Sequence, residues 1–169
     1  MLRVPMNNVG ITRTIKAEYP GLPWAVKLHP EWDRSIDIVP GTVMARIDGE
    51  TVAPIGQTFG SVVDVSKQVP FGLSALFCAP KLGVDEIRSS DNFTVWVGES
   101  DAVFRVLKGA YDDTATWTTP ADGSKQFVYA NAKAQLTTVA AGQPVGTLIT
   151  NGTDQGFIRI SLDTTTPTA

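Results

Sequence analysis

The sequence is poor in residues that carry covalent and acid–base chemistry, with one cysteine and one histidine among 169 residues. A single cysteine cannot form an internal disulfide or a C-x-x-C motif, which excludes disulfide scaffolds and cysteine-rich zinc sites. Cys78 lies among apolar neighbours in LSALFCAP, as is typical of a small buried hydrophobe. His29 precedes a proline in KLHPEW, and no second histidine stands at metal-ligand spacing.

Charge is also scarce, and long apolar runs are absent. Charged residues make up 18% of the chain and the formal net charge is -3. Nucleic-acid binding needs clustered Lys and Arg, which the sequence lacks, so we expect no nucleic-acid partner. No stretch approaches the roughly 20 apolar residues that cross a bilayer, and the first residues lack the apolar core of a signal peptide. We therefore expect a protein made in the cytoplasm, with no membrane partner.

Acidic pairs are the catalytic candidates that remain, because the sequence contains no G-x-G-x-x-G or phosphate-loop pattern. In principle, two carboxylates across a cleft could act as in a glycosidase. The candidates are Asp112–Asp113, Asp85–Glu86 and Glu99/Asp101. Each is predicted to lie in a turn or at a helix end, where solvated acids are common. We predict no catalytic, cofactor-binding or metal-binding residue, no cofactor and no enzymatic activity.

Turn residues are plentiful, with 15 glycines and 11 prolines, and they favour many turns and short strands. The clearest case is VPGTVMARIDGETVAPIG, residues 39–56, in which Asp48-Gly49 lies between two alternating runs. Read as a two-residue type I′ turn, this pair places Ile47 opposite Glu50. The resulting register puts one set of residues on a buried face: Val43, Ala45, Ile47, Val52 and Pro54.

Further alternating runs predict strands at 93–97, 103–107, 134–139, 145–150 and 157–162. Another hairpin is predicted around Asp122-Gly123, between Trp117 and Phe127, and KLGVDEIRSS, residues 81–90, is the best candidate for a short helix. We predict an all-β fold, a small antiparallel β-barrel or sandwich with an extended N-terminal arm and at most one or two short helices. The predicted core comprises Val43, Ile47, Val52, Phe93, Val95, Val97, Val145, Leu148, Ile158 and Ile160.

Composition divides the chain into an arm, a β-domain and a tail. The predicted division is an arm at 1–38, a β-domain at 39–163 or two β-subdomains at 39–107 and 108–163, and a disordered tail at 164–169. The arm has four prolines and two tryptophans but no sustained periodicity. It either packs on its own domain or docks on a neighbouring subunit, and its candidate protein-interface residues are Tyr19, Trp24 and Trp32.

Four tryptophans suggest a second class of function. Exposed rings on a β-sandwich could stack on sugars, as in a carbohydrate-binding module. In the other interpretation, Trp96 and Trp117 fill the core, while Trp24 and Trp32 anchor the arm.

Two stretches resemble segments of phage structural proteins. VPGTVMARIDGETVAPIG resembles a strand–turn–strand segment of phage head decoration proteins of the lambda type. DGSKQFVYANAKAQLTTVAAGQPVGTLI, residues 122–149, is similar to small β-barrel modules of phage capsid cement and decoration proteins. The resemblance implies a virion structural protein that binds the major capsid protein on the outside of the head, as a trimer, and stabilises the capsid lattice. A phage tail-tube or other virion β-protein is the nearest alternative.

Overall fold

The computed structural model describes residues 15–17, 22–32, 37–56, 68–75, 78–79, 84–85, 93–98 and 102–163. These residues form a closed five-stranded barrel, a six-stranded antiparallel sheet and a separate two-stranded pair. The all-β prediction is confirmed, and the helical structure in the described ranges is one 3-10 turn, Thr153–Gln155. No helix in those ranges is long and apolar enough to span a membrane.

Thirteen strands make up these sheets. They are β1 (Ile15–Ala17), β2 (Leu22–Leu28), β3 (Val43–Arg46), β4 (Thr51–Pro54), β5 (Pro70–Ser74), β6 (Cys78–Ala79), β7 (Val84–Asp85), β8 (Phe93–Val97), β9 (Ala102–Leu107), β10 (Phe127–Ala130), β11 (Leu136–Thr137), β12 (Gly146–Gly152) and β13 (Phe157–Leu162). The barrel order is β2-β4-β3-β5-β8, and β8 closes the barrel by pairing with β2. The sheet order is β1-β9-β13-β12-β10-β11.

The barrel encloses its own apolar core. Alternate residues of β8, Phe93, Val95 and Val97, are buried there, as the period-2 pattern predicts. Strand β8 pairs with β2 on one edge and with β5 on the other, and Trp96 on its opposite face packs against a second core, so both faces carry bulky residues. Leu28, Trp32, Ile38, Met44 and Val52 are among the other buried residues of this core.

A second core lies between the barrel and the inner face of the six-stranded sheet. The sheet contributes Phe104, Val106, Ile158, Ile160 and Leu162, and the barrel contributes Val43, Ala45, Ile55 and Leu73. Strand β3 is therefore buried on both faces, because Met44 belongs to the barrel core. All the predicted core residues are buried except Ile47, which is half-buried and packs against both cores.

The predicted register of the first hairpin is wrong by one residue. Ala45 pairs with Ala53, and Arg46 pairs with Val52, so the loop has three residues, 48–50. The Asp48 carboxylate accepts hydrogen bonds from the backbone N–H groups of residues 50 and 51, at 2.9 and 2.8 Å. Gly49 does not adopt the positive φ of a type I′ turn. The aspartate side chain therefore shapes this turn in place of left-handed backbone.

The predicted hairpin around Asp122-Gly123 is also wrong. Gly123 has φ of +80°, as a turn glycine does, but the segment that contains Trp117 forms no strand. The Trp117 ring is buried, and its Nε1 donates to the Asp112 carbonyl at 2.8 Å. The backbone carbonyl of Trp117 accepts a hydrogen bond from Asn151 Nδ2 at 2.6 Å. These side-chain hydrogen bonds anchor an irregular loop where a ladder was predicted.

Two other local predictions need correction. Where a helix was predicted at 81–90, residues 84–85 form a strand that pairs with β6, and the rest of that segment lies outside the described residues. The strand predicted at 134–139 shortens to β11, because Ala134 adopts φ of +58°, which no extended strand permits. The strands predicted at 93–97 and 157–162 have the observed bounds.

Part of the predicted N-terminal arm lies within the two sheets. Strand β1 pairs with β9 of the six-stranded sheet, and β2 is a member of the barrel. The backbone N–H groups of Lys27 and His29 donate to the carbonyls of Glu50 and Val52, at 3.1 and 2.9 Å. Residues 22–28 therefore complete the barrel. The predicted tail, 164–169, lies outside the described residues.

Candidate functional site

An exposed aromatic group stands out on the barrel. Trp24 on β2 has 46% of its surface exposed, although large apolar side chains elsewhere in the barrel are mostly buried. Its ring meets Phe71 of β5 edge to face, with ring centroids 5.9 Å apart and an interplanar angle of 85°. The guanidinium carbon of Arg46, at the end of β3, lies 5.7 Å from the centroid of the Phe71 ring. We call these three residues the Trp24 patch.

A β-bulge and a glycine place Phe71 in this patch. In the pairing of β3 with β5, Met44 faces Gly72 and Ala45 faces Pro70, so Phe71 is the extra residue between them. A Cβ atom added at Gly72 would lie 2.3 Å from the Trp96 carbonyl oxygen, so the close approach of β5 to β8 requires glycine. Phe71 is half-buried, and it packs against the barrel core and against Trp24.

The turn after β3 holds Arg46 in place. Arg46 Nε donates to the Asp48 carbonyl at 3.1 Å, and its Nη2 donates to the Gly49 carbonyl at 2.6 Å. The Asp48 carboxylate, which shapes the turn, has a pKa below its ordinary value, first because of the hydrogen bond from the Glu50 N–H. The turn thus orients the guanidinium towards Phe71. Because the Arg46 side chain is already ordered, a contact with another molecule would cost it little further conformational entropy.

The Trp24 patch borders a groove of about 200 Å³. The other residues that line it include Val26, Lys27, Gly49 and Glu50. Lys27 and Glu50 place one charge of each sign at the groove, beside the aromatic rings. This combination of exposed aromatic, cation and mixed-charge rim is suited to contact with another protein.

The structure brings together only part of the predicted interface. Trp24 is exposed, whereas Trp32 is 5% exposed and its ring belongs to the barrel core. Tyr19 lies outside the described residues. Sequence reasoning missed Phe71 and Arg46, since their meeting with Trp24 depends on three strands that are distant in sequence.

The candidate catalytic groups have local structural roles. His29 Nδ1 accepts from the Glu31 N–H at 3.2 Å, and Asp113 pairs with Lys108 at 3.0 Å. The side chains of Asp85–Glu86 and Glu99/Asp101 lie outside the described residues. Within the described ranges, no group of three or more His, Cys, Asp or Glu residues is arranged to hold a metal ion.

The stability of the loop that carries Trp117 depends on pH through the carboxylate of Asp112. Its carboxylate accepts from Thr114 Oγ1 at 2.6 Å and from the Thr114 N–H at 3.0 Å. These bonds, the hydroxyl first, lower the pKa of Asp112 below its ordinary value of 3.8. A lowered folded-state pKa stabilises the fold above the unfolded value, and this contribution disappears as the pH falls through the folded value.

We expect acid to weaken this loop and the Asp112→Asn variant to be less sensitive to acid. Asparagine keeps an oxygen acceptor for Thr114 but does not titrate. The melting temperature of the variant should therefore fall less than that of the wild type as the pH decreases below about 3.8. Thr114→Ala, which removes the largest cause of the shift, should also flatten the profile. Parallel profiles for all three proteins would contradict this assignment.

A family model for phage cement proteins matches the whole chain, residues 1–169. The chain belongs to the phage cement protein family. This cement protein is a component of the virion capsid that binds the phage head, and it is a structural protein, not an enzyme. No curated protein and no solved structure matches it.

The family assignment confirms the resemblance to capsid cement and decoration proteins. It also favours capsid binding over the tail-tube and carbohydrate-binding alternatives. The tryptophans agree with this choice, because Trp32 and Trp117 are buried, Trp96 is half-buried and packs against the second core, and Trp24 alone of the four is exposed. One exposed tryptophan does not make the row of rings that a sugar chain would need.

Proposed function

We propose that the Trp24 patch binds the major capsid protein on the outer surface of the head, and that the cement protein assembles there as a trimer. The observation that carries the proposal is the 46% exposure of Trp24 on the closed barrel. Tryptophan and arginine are the residue types most enriched among those that dominate binding energy at protein interfaces. The patch presents both, and its aromatic edge-to-face contact already orders the rings before binding.

The proposal changes the role of the predicted interface residues. Trp24 contacts the partner, and Trp32 supports this surface from within the barrel core. Tyr19 remains a candidate for contact with the capsid on the basis of the sequence alone.

Trp24→Ala is expected to weaken attachment to undecorated heads strongly while leaving the fold intact. A residue that dominates an interface contributes at least about 2 kcal/mol, which corresponds to roughly 30-fold in affinity. Binding is measured by co-sedimentation with purified heads that lack the cement protein, and folding by thermal melting. Val139→Ala is the matched control, because Val139 is 64% exposed and lies outside the patch. Equal binding by Trp24→Ala and the wild type would refute the assignment of this surface.

The trimer is supported by the open form of the six-stranded sheet, in which no described strand pairs with the outer edge of β1, whereas residues 110–112 bond to the outer edge of β11. Open sheet edges are commonly covered by a neighbour, and closed cyclic symmetry is the usual form of such assemblies. A reconstruction of decorated heads tests both parts of the proposal at once. It should show copies that meet in threes, with Trp24 against the capsid, whereas isolated copies would rule out the trimer.

A further inference from the structure

Strand β2 has an open edge where it enters the barrel. Residues 22–26 pair with β8, but only residues 27 and 28 pair with β4 on the other edge. The Lys27 N–H donates to the Glu50 carbonyl at 3.1 Å, so Lys27 directs its backbone groups towards β4. Successive residues of a strand direct these groups to opposite edges, so Ala25 directs its N–H and C=O to the same edge as Lys27.

The pairing with β8 agrees with this direction. Ala25 lies opposite Thr94 in the register. The Thr94 carbonyl accepts from the N–H of Ala75, which follows β5, at 3.0 Å, so Thr94 directs its backbone groups away from β2. Ala25 and Thr94 therefore form a pair without ladder hydrogen bonds between them. The backbone groups of Ala25 are left to the edge that faces β4.

The turn between β3 and β4 keeps this edge open. A longer parallel ladder would bond Ala25 to the Asp48 carbonyl and to the Glu50 N–H. Both groups are used within the turn, because the Asp48 carbonyl accepts from Arg46 Nε at 3.1 Å and the Glu50 N–H donates to the Asp48 carboxylate at 2.9 Å. No described residue bonds to the backbone of Ala25, which is exposed. One N–H and one C=O are therefore available to a further strand.

This open edge lines the groove beside the Trp24 patch. Trp24 and Val26 share the face of β2 that points towards the barrel core, and Val26 packs against that core. The Trp24 ring reaches across to Phe71 at the same groove. Side chains of a strand alternate between its two faces, so a strand added at Ala25 would place every second side chain beside these two rings.

We infer that the β2 edge at Ala25 accepts a short extended segment of the capsid shell, which joins the barrel as an added strand. The inference rests on the proposed function, since it assumes that the Trp24 patch faces the capsid. A donor and an acceptor directed from one residue to one edge match the main chain of a polypeptide, and the exposed rings beside them match its apolar side chains. Pro23, the next residue directed to this edge, has no N–H, so the added strand is short.

Hydrogen exchange at the Ala25 amide tests the inference on the wild-type chain. In the free protein this N–H has only water as a partner, and we expect fast exchange. In decorated heads it donates to the added strand, so exchange should slow by at least about tenfold. Mass spectrometry with fragmentation to single residues measures both states. The Lys27 amide is the internal reference, because its bond to Glu50 protects it with or without heads.

A pair of variants at position 25 tests the same hydrogen bond by affinity. Ala25→Pro removes the N–H, and β2 already holds a proline in the same orientation at Pro23. Ala25→Val adds a side chain of similar size but keeps the N–H. We expect Ala25→Pro to bind undecorated heads about tenfold more weakly than Ala25→Val, because a carbonyl of the capsid segment loses its donor. Co-sedimentation measures binding, and thermal melting checks the fold of both variants.

Several outcomes would overturn the inference. Equal binding by the two folded variants would do so, and so would an Ala25 amide that exchanges equally fast in free protein and in decorated heads. The exchange result decides the matter if Ala25→Pro fails to fold. Weak binding by Trp24→Ala without protection of Ala25 would keep the proposed function and remove the added strand.

Two further results would replace the capsid segment by another occupant. Slow exchange of the Ala25 amide in the free, dilute protein would assign the edge to another segment of this chain. Protection that grows with protein concentration in the absence of heads would assign it to a second copy. Either result would overturn the inference.

Discussion

Val95→Asp is expected to unfold the protein or to leave it only marginally stable. Val95 is fully buried in the barrel core, on the strand that closes the barrel. The other buried residues of that core are apolar, so they offer a carboxylate no cation, and burying an unpaired charge costs about 3–5 kcal/mol or more. Typical domains are stable by only about 5–15 kcal/mol. Thermal and urea unfolding followed by circular dichroism would measure the loss.

The matched control for this prediction is Thr94→Asp on the same strand. Thr94 is half-buried, it points to the opposite face from Val95, and it pairs with the exposed Ala25. The same charge at this position can stay hydrated, so we expect a much smaller loss of stability. Equal losses for the two variants would mean that the charge itself, and not its burial, disrupts the strand.

Removal of residues 1–38 is expected to destroy the barrel. The truncated chain lacks β2, which pairs with β8 in antiparallel and with β4 in parallel orientation. It also lacks Leu28, Trp32 and Ile38, three buried residues of the barrel core. Each such side chain contributes about 1.5–3 kcal/mol by burial, so the total approaches the whole stability of a typical domain. We expect no cooperative melting and no attachment to heads.

A shorter truncation separates the strands from the residues before them. Deletion of residues 1–14 leaves β1 and β2 in the chain, and we expect it to retain cooperative melting. If the chain without residues 1–38 also melts cooperatively and loses only its binding to heads, then these residues act as an arm beside an independent β-domain, as the composition of the sequence suggested.

Single strands were the most predictable part of the fold. In β8 and β13, alternate apolar residues predicted both the bounds of the strand and the residues that are buried. This succeeds because side chains of a strand alternate between its faces, so burial of one face leaves a period of two in the sequence. Strand β3 was harder to interpret, because two different cores bury its two faces and its burial no longer alternates.

Turn geometry was less predictable, and it decided the register of the first hairpin. Asp48-Gly49 is compatible with a two-residue type I′ turn, but the Asp48 side chain instead accepts two backbone hydrogen bonds across a three-residue loop. The difference is one residue, and it changes every cross-strand pair of β3 with β4. In the N-terminal region, the prolines made β2 hard to predict, although this strand includes Pro23.

The sequence by itself determined the all-β class, the absence of motifs for covalent or nucleotide chemistry, and the resemblance to capsid cement proteins. These follow from composition, from local alternation and from short turn motifs, which need no knowledge of distant contacts. Only the tertiary structure decided that residues 22–28 close a barrel and that Trp24 meets Phe71 and Arg46. Each of these depends on pairing between strands far apart in the chain, and that pairing is selected by the shared burial of their apolar faces, not by local propensity.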